Sequence, residues 1–341
     1  MTIVKKSIAI CSIGAVALAL AATVPAPPQA SAQEKTKVTI NSFKSATLWP
    51  MWAAQKIGAF DKQGLTIDLS FTRDSKSQMT SVIEGKFDMI ITALDNVIAY
   101  SEGEGAAGAP KNGDLIAFLG GHNGSLGLIA QPGIKSVKDL KGAELAIDAI
   151  STGFSFVLRE ILARNGLQPD DYKLVSHGSS GARWQALQKN QAAGALLSPP
   201  ISLIATARGF SNVAEASDVL GSYQGLVSGA RRDWAKQHAD VVVRYIRAYR
   251  AGQDWMIDPA NKDAVIAILT AEFPQMQPNL AQTLYAKLVT GKNGFDPGGK
   301  IDMAGAKTVL DLRRRYGPKG KTIADVGHFI DESHFNRAIK P

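Results

Sequence analysis

Polar and charged side chains follow directly after several short apolar segments of the sequence. Residues 37–40, 66–71 and 89–92 have the alternating or apolar composition of strands, and polar residues follow each of them. In an open parallel sheet, small molecules bind at the carboxyl ends of the strands, where loops meet helix N-termini. The candidate ligand-binding residues at such positions are Lys44, Ser45, Thr47, Trp49, Arg73, Asp74, Asp95, Asn96, Asp148, Thr152, Gly153, Phe154 and Ser198.

The charged candidates are compatible with more than one ligand chemistry. The guanidinium of Arg73 fits a carboxylate, a sulfonate or a phosphate, and Lys44 also suits an anion. Asp74 and Asp95 would instead suit an amine. Arg73 and Asp74 can also pair with each other and leave the ligand untouched.

Other candidates have a structural interpretation beside the functional one. Ser45 and Thr47 can equally cap the helix predicted after them, and Asp95 can be a helix N-cap. Trp49 either lies in the core or stacks on a flat ligand, for which Phe154 is also suited. With the cationic candidates, these rings make a sulfonate or an aromatic carboxylate the expected ligand.

Catalytic and metal-binding motifs are missing from the sequence. There is no Gly-x-Ser-x-Gly nucleophile elbow, no phosphate-binding P-loop, no His-Glu-x-x-His pair and no EF-hand loop. The histidines lack ligand spacing and stand at positions 122, 177, 238, 328 and 334. The sequence therefore favours binding over catalysis, with no metal and no cofactor expected.

Strand and helix patterns alternate over most of the chain, which predicts an α/β fold with parallel sheets. A first unit of this kind precedes residue 123, and a second extends from about residue 123 to about residue 222. From Trp234 onward, apolar residues recur at helical spacing over residues 241–256, 264–270, 280–288 and 303–316. Roughly 300 residues are enough for two domains with separate cores.

The N-terminal residues have the pattern of an export signal. Lys5 and Lys6 precede an apolar run over residues 8–24, and Ala30 and Ala32 fit the small-x-small pattern of signal peptidase cleavage. We predict that residues 1–32 are a signal peptide cleaved after Ala32. The single cysteine, Cys11, lies within this segment, so the mature chain is expected to have no thiol.

The mature chain would be basic but not strongly so. Without the two leader lysines it has 36 basic and 30 acidic residues, a net charge of +6. The densest basic run, residues 313–315, falls in a helical pattern and is interpreted as a solvated face. Export argues against a nucleic-acid partner, and the charge is compatible with capture of an anion.

Four segments in order resemble a known family of solute receptors. Residues 49–54 lead into 58–65, which fit a G-x-F-x-x-x-G-L turn, and residues 84–88 stand in the place of an L-x-x-G-x-x-D element. Residues 134–142 fit I-x-S-x-x-D-L-K-G, and residues 329–331 read F-I-D. The chain thus resembles the substrate-binding proteins of ABC importers of the nitrate/sulfonate/taurine type, which share their fold with NMT1/THI5-like proteins.

The resemblance implies a type 2 periplasmic-binding-protein fold with two α/β lobes, a two-strand hinge and a C-terminal helical region. Residues 33–122 and 223–341 would form the first lobe, and residues 123–222 the second. The lobes would close on a small solute held by the loops named above. A monomer is expected, located in the periplasm and docking on a membrane permease with its ATPase.

Other functions are weighed against this interpretation of the sequence. The same fold can present a ligand to a membrane receptor, as a sensor without transport. Some NMT1/THI5-like proteins make a thiamine pyrimidine precursor, but they use a cysteine-rich motif that the mature chain would lack. A pyrimidine-type ligand and hydrolysis at an unrecognised site are the remaining alternatives.

Overall fold

The computed structural model describes residue 2 and residues 34–106, 110, 113–291, 294–320 and 322–340. Apart from residue 2, the predicted signal peptide with Cys11 and its cleavage site after Ala32 lie outside the described residues. The chain from Lys35 onward forms one compact unit. Within the described ranges, no helix has the length and apolar character needed to cross a bilayer.

The described residues contain ten strands and fourteen α-helices. The strands are β1 (Thr36–Ser42), β2 (Leu65–Phe71), β3 (Met89–Ala93), β4 (Leu115–His122), β5 (Gly127–Ala130), β6 (Ala143–Ile147), β7 (Tyr172–Ser176), β8 (Gly194–Leu197), β9 (Ser211–Glu215) and β10 (Leu226–Arg231). The helices of the first half are α1 (Trp49–Lys56), α2 (Ala59–Lys62), α3 (Ser75–Ile83), α4 (Leu94–Ser101), α5 (Gly153–Arg164), α6 (Ser180–Gln188) and α7 (Ile201–Ala207). Those of the second half are α8 (Ala216–Leu220), α9 (Arg232–Gln237), α10 (Ala239–Ile257), α11 (Lys262–Glu272), α12 (Pro278–Leu288), α13 (Met303–Tyr316) and α14 (Ser333–Ala338).

The strands form two five-stranded sheets of the same design. The first has the order β2-β1-β3-β10-β4, and the second has the order β7-β6-β8-β5-β9. In the first sheet β1 is parallel to β2 and β3, while β10 is antiparallel to β3 and β4. In the second sheet β6 is parallel to β7 and β8, while β5 is antiparallel to β8 and β9. The sheets are therefore mixed, because β5 and β10 each enter directly after the chain has crossed from the other sheet.

The chain passes twice between the two sheets. The first crossing, residues 123–126, connects β4 to β5, and the second, residues 221–225, connects α8 to β10. The crossings lie side by side, since the Gly225 N–H donates to the His122 carbonyl at 2.9 Å. Together they bring the carboxyl ends of the parallel strands of both sheets toward one space.

Apolar burial joins the two sheets on one side. One core cluster contains Leu115 and Val227 of the first sheet together with Leu128 and Leu145 of the second. Phe156 of α5 belongs to the same cluster, as do apolar residues of α4 and α13. A separate cluster lies between the first sheet and the helices α1, α10, α11 and α12. The apolar runs of β4, β5 and β8 are buried almost throughout, as expected for strands covered on both faces.

The basic run on α13 forms the predicted solvated face only in part. The Arg313 side chain is 0% exposed and forms ion pairs with Asp95 at 2.7 Å and with Glu104 at 3.0 Å. Its position, four and three residues after the buried Val309 and Leu310, places it on the inner side of the helix. Only the following arginines of the run are substantially exposed, and the interpretation was wrong for Arg313.

Candidate ligand-binding site

A cavity of about 450 Å³ lies where the loops of the two sheets meet. The first sheet contributes residues that follow β1, β2 and β3, and the second contributes residues that follow β6, β7 and β8. His122 and Leu226, which flank the two crossings, also line it. Its volume is in the range of pockets that hold small organic molecules.

Most of the sequence-predicted site residues line this cavity. On the side of the first sheet are Lys44, Ser45, Thr47, Asp74 and Asn96. On the side of the second sheet are Asp148, Thr152, Gly153, Phe154 and Ser198. The rule that ligands collect at the carboxyl ends of parallel strands located these residues, although no side-chain geometry was available from the sequence.

Three predicted site residues are not part of the cavity wall. Trp49 is 0% exposed, and its indole N–H donates to the Val265 carbonyl at 2.9 Å, so the ring is a core residue of α1. Asp95 forms a buried ion pair with Arg313 and is not an N-cap. Arg73 lines a separate, more open depression.

Asp74 and Thr152 stand at the starts of two helices that border the cavity. The Asp74 carboxylate accepts a hydrogen bond from the Ser77 N–H at 2.7 Å and so caps α3, without pairing with Arg73. The Thr152 hydroxyl donates to Asp148 at 2.6 Å, and the start of α5 has no side-chain cap. The first N–H groups of α5 are consequently left for another acceptor, which favours negative charge there.

Gly153 is required by the close approach of α5 and α4. A Cβ atom at this position would lie 2.5 Å from the Cβ of Asp95, which is closer than side chains pack. The contact brings the N-terminus of α5 against the first turn of α4. The glycine thus has a packing role, besides its position in the cavity wall.

Arg183 is a cavity residue that sequence analysis missed. It is 2% exposed, and its guanidinium donates to the carbonyls of Leu196 at 3.0 Å and Gly178 at 2.5 Å, and to the Ser180 hydroxyl at 3.0 Å. It forms no ion pair with any described residue. Burial lowers the pKa of Arg183, and the nearby Asp148 carboxylate opposes this, but an arginine stays charged under all ordinary conditions.

The sequence did contain a signal for Arg183. This residue lies in the first turn of a helix, and that helix follows a strand and the turn at Gly178–Ser180. The interpretation of residues 183–189 as an ordinary helix did not reveal which face would be buried. A guanidinium has five N–H donors, and the protein acceptors named above use only part of this capacity. A buried cation with spare donors in a cavity wall is suited to an anionic group.

Besides Arg183, the charged residues of the wall are Lys44, Asp74, Lys76 and Asp148. Lys44 forms a partly exposed ion pair with Glu272 at 3.1 Å. Burial raises the pKa of Asp148, while Arg183 and the Thr152 hydroxyl lower it. Asp148 is therefore disposed to accept a proton more readily than a carboxylate in water. Within the described ranges, no group of three or more His, Cys, Asp or Glu residues could hold a metal ion.

The two mixed sheets, the double crossing and the cavity between the loops define a periplasmic-binding-protein fold. Comparison with solved structures supports this class. The periplasmic nitrate-binding protein NrtA from Synechocystis PCC 6803 superposes with a TM-score of 0.76 at 14% identity, over 89% of this chain and 88% of that one. A family model described as NMT1/THI5 like matches residues 45–262, and the chain belongs to that family.

Two further structures show the range of functions that this fold carries. The alkanesulfonate-binding protein SsuA from Xanthomonas axonopodis pv. citri, bound to MOPS, has a TM-score of 0.67 and 16% identity over 87% of this chain and 98% of that one. The desulfurization enzyme DSZB has a TM-score of 0.63 and 15% identity over 89% of this chain and 99% of that one. No curated protein sequence matches the chain. Several of the similar structures are solute-binding proteins, and DSZB is an enzyme.

Proposed function

We propose that this protein is the periplasmic solute-binding component of an ABC importer and captures a small organic anion without transforming it. The observation that carries the proposal is the buried Arg183 guanidinium, which lines the cavity with no ion-pair partner among the described residues. The uncapped N-terminus of α5 adds partial positive charge on the same side. An anionic group placed between them would receive hydrogen bonds and charge compensation together.

The body of the ligand is proposed to be aromatic or otherwise apolar. Apolar side chains of the cavity wall come from the sides of both sheets, namely Phe43, Ala93, Phe154, Ile201 and Leu226. The volume of the cavity is far larger than an inorganic ion requires. It suits a small organic molecule with a few fused or substituted rings. A sulfonate or an aromatic carboxylate meets both conditions.

Capture would proceed by closure of two lobes, residues 33–122 with 223–341 and residues 123–222, about the crossings. A ligand that touches both walls binds the closed form better than the open form, and only such a difference in affinity shifts the equilibrium. Arg183 and Phe154 would hold the ligand from the second lobe, and Asn96 and Thr47 from the first. The closed form would then deliver it to a permease, after export of the protein by its N-terminal signal.

We expect benzenesulfonate or benzoate to raise the melting temperature of the purified protein, and Arg183→Gln to abolish most of this effect. A ligand present at 100 times its Kd adds about 2.7 kcal/mol of stability, which a thermal-shift assay detects readily. Glutamine retains hydrogen-bonding capacity but lacks the charge, so affinity should fall about 30-fold or more, equivalent to about 2 kcal/mol. Isothermal titration calorimetry measures the change.

The matched control is Arg73→Gln, which removes a cation from the open depression beside the cavity. It should leave the affinity for the same compound within a factor of about two, since Arg73 does not line the cavity. The anion proposal is wrong if only cationic compounds such as benzamidine stabilise the protein. If Arg73→Gln abolishes binding and Arg183→Gln leaves it unchanged, the anionic group of the ligand is bound by Arg73 and not by Arg183.

A further inference from the structure

His122 occupies a special place in the cavity wall. It is the last residue of β4, stands at the start of the first crossing and is 1% exposed. Among the residues that line the cavity, it is the one histidine in the described part of the chain. Its imidazole donates no hydrogen bond in the proposed capture of an anion by Arg183 or in the packing of the sheets.

The hydrogen bonds of the ring fix its tautomer. Nδ1 lies 2.9 Å from the backbone nitrogen of Gly124 and 3.4 Å from that of Ser125, and both N–H groups point to it. A backbone N–H can only donate, so Nδ1 is the acceptor and carries no proton. In a neutral imidazole the proton is then on Nε2, which becomes a hydrogen-bond donor. Burial lowers the pKa of His122 to about 4, so the ring is neutral over the physiological range.

The Nε2–H group of His122 donates no hydrogen bond to any described residue. Both hydrogen bonds that the ring makes with described residues use Nδ1, and the cavity adjoins the residue. His122 lines the cavity, so a donor on its ring without a protein acceptor can bond to whatever the cavity holds. An acceptor atom brought by a ligand would take this hydrogen bond.

The ring is also held against the second crossing. A Cβ atom at Gly225 would lie 2.8 Å from Cε1 of His122, and the Gly225 N–H donates to the His122 carbonyl. The imidazole is thus fixed between Gly124 and Ser125 of one crossing and Gly225 of the other. Its donor cannot turn away to accommodate a ligand group of the wrong kind.

We propose that His122 is a specificity-determining residue, which donates its Nε2–H to a second acceptor group on the ligand. The proposal rests on the proposed function, since it concerns the same cavity and the anion held by Arg183. It narrows the ligand to an organic anion that carries, away from its anionic group, an uncharged oxygen acceptor such as a carbonyl. A ligand with an ammonium or N–H group at that end would meet a donor and is rejected.

The test uses two substitutions that separate the two ring nitrogens. In His122→Asn, the side-chain oxygen replaces Nδ1 as acceptor for the Gly124 N–H, but no donor remains at Nε2. In His122→Gln, the longer amide places a donor near the position of Nε2. The probes are benzoate, 4-acetylbenzoate and 4-(aminomethyl)benzoate with the full chain, together with the corresponding benzenesulfonates, and affinity is measured by calorimetry.

We expect the acetyl compound to bind the unaltered protein about tenfold more tightly than the parent acid, and the aminomethyl compound more weakly. His122→Asn should abolish the advantage of the acetyl group, whereas His122→Gln should retain most of it. The melting temperatures of the ligand-free variants show whether either has lost its fold. Nitrogen NMR of labelled histidine gives an independent readout, with the proton expected on Nε2 of His122.

Each outcome decides a different point. If acetyl and parent compounds bind equally in the unaltered protein but Arg183→Gln weakens both, the role of His122 is refuted and the proposed function stands. If no probe binds, the proposed function fails and the role of His122 fails with it. A proton found on Nδ1 of His122 overturns the inference without any ligand.

Discussion

Replacing Arg313 by methionine is expected to lower the free energy of unfolding by about 3–5 kcal/mol, the range for breaking a buried ion pair from one side. The guanidinium is 0% exposed and binds Asp95 through two hydrogen bonds at 2.7 Å and Glu104 through one at 3.0 Å. Methionine fills much of the space but leaves both carboxylates without a cation in a buried site. Urea unfolding followed by circular dichroism measures the loss.

Arg314→Met is the matched control, one residue further along the same helix. Its side chain is 44% exposed and its ion pairs with Asp311 and Asp325 are at the surface. Surface pairs of this kind contribute little, so the change should stay within about 0.5 kcal/mol. A loss of similar size in both variants would show that the cost comes from helix packing and not from the buried charges.

Asp296→Asn is expected to change how stability depends on pH, by up to about 4 kcal/mol. Asp296 is 3% exposed, and its carboxylate accepts a hydrogen bond from the Gln224 side chain at 2.7 Å. Burial raises the pKa of Asp296 to about 7, because the charged form is disfavoured away from water. A folded-state pKa above the unfolded value gives stability at low pH, and this stability is lost as the pH rises from about 4 to about 7.

His122 acts in the opposite direction over nearly the same interval. Since burial lowers its pKa to about 4, the contribution of His122 to stability is complete above about pH 6.5 and is lost as the pH falls toward 4. The two slopes largely cancel in the unaltered protein. In Asp296→Asn the amide still accepts from Gln224 but cannot ionise, so stability should rise with pH between about 4 and 6.5.

Urea unfolding at a series of pH values between 4 and 8 tests the Asp296 prediction. The exposed Asp311→Asn, on the outer face of α13, is the matched control and should leave the profile unchanged. A profile for Asp296→Asn that is parallel to that of the unaltered protein would show that Asp296 does not change its protonation on unfolding in this range.

The fold could be predicted because its signals are local in the sequence. Alternating apolar residues marked the strands, helical spacing marked α10 to α13, and four family-like segments fixed their order. The mixed character of the sheets was not predicted, since the direction of β5 and β10 depends on where the chain crosses. That is a property of the whole topology, for which no single segment carries a signal.

The site could be predicted only to the level of loops. Residues after a strand end must lie at the edge of the sheet, but which of them face the cavity depends on distant partners. Asp95 and Arg313 are 218 residues apart in the chain, so their buried pair has no local signature. The same reason hid Arg183, whose burial is decided by the packing of α6 against the second sheet.

The core cluster shared by the two sheets determines how cooperatively the protein unfolds. Leu128 and Leu145 pack in the same apolar cluster as Leu115 and Val227, so neither sheet can melt and leave the other with an intact interior. Heating should accordingly give one calorimetric transition, with equal calorimetric and van't Hoff enthalpies, and not one peak for each half. A solute bound to a single wall of the cavity would then protect the entire described fold from heat.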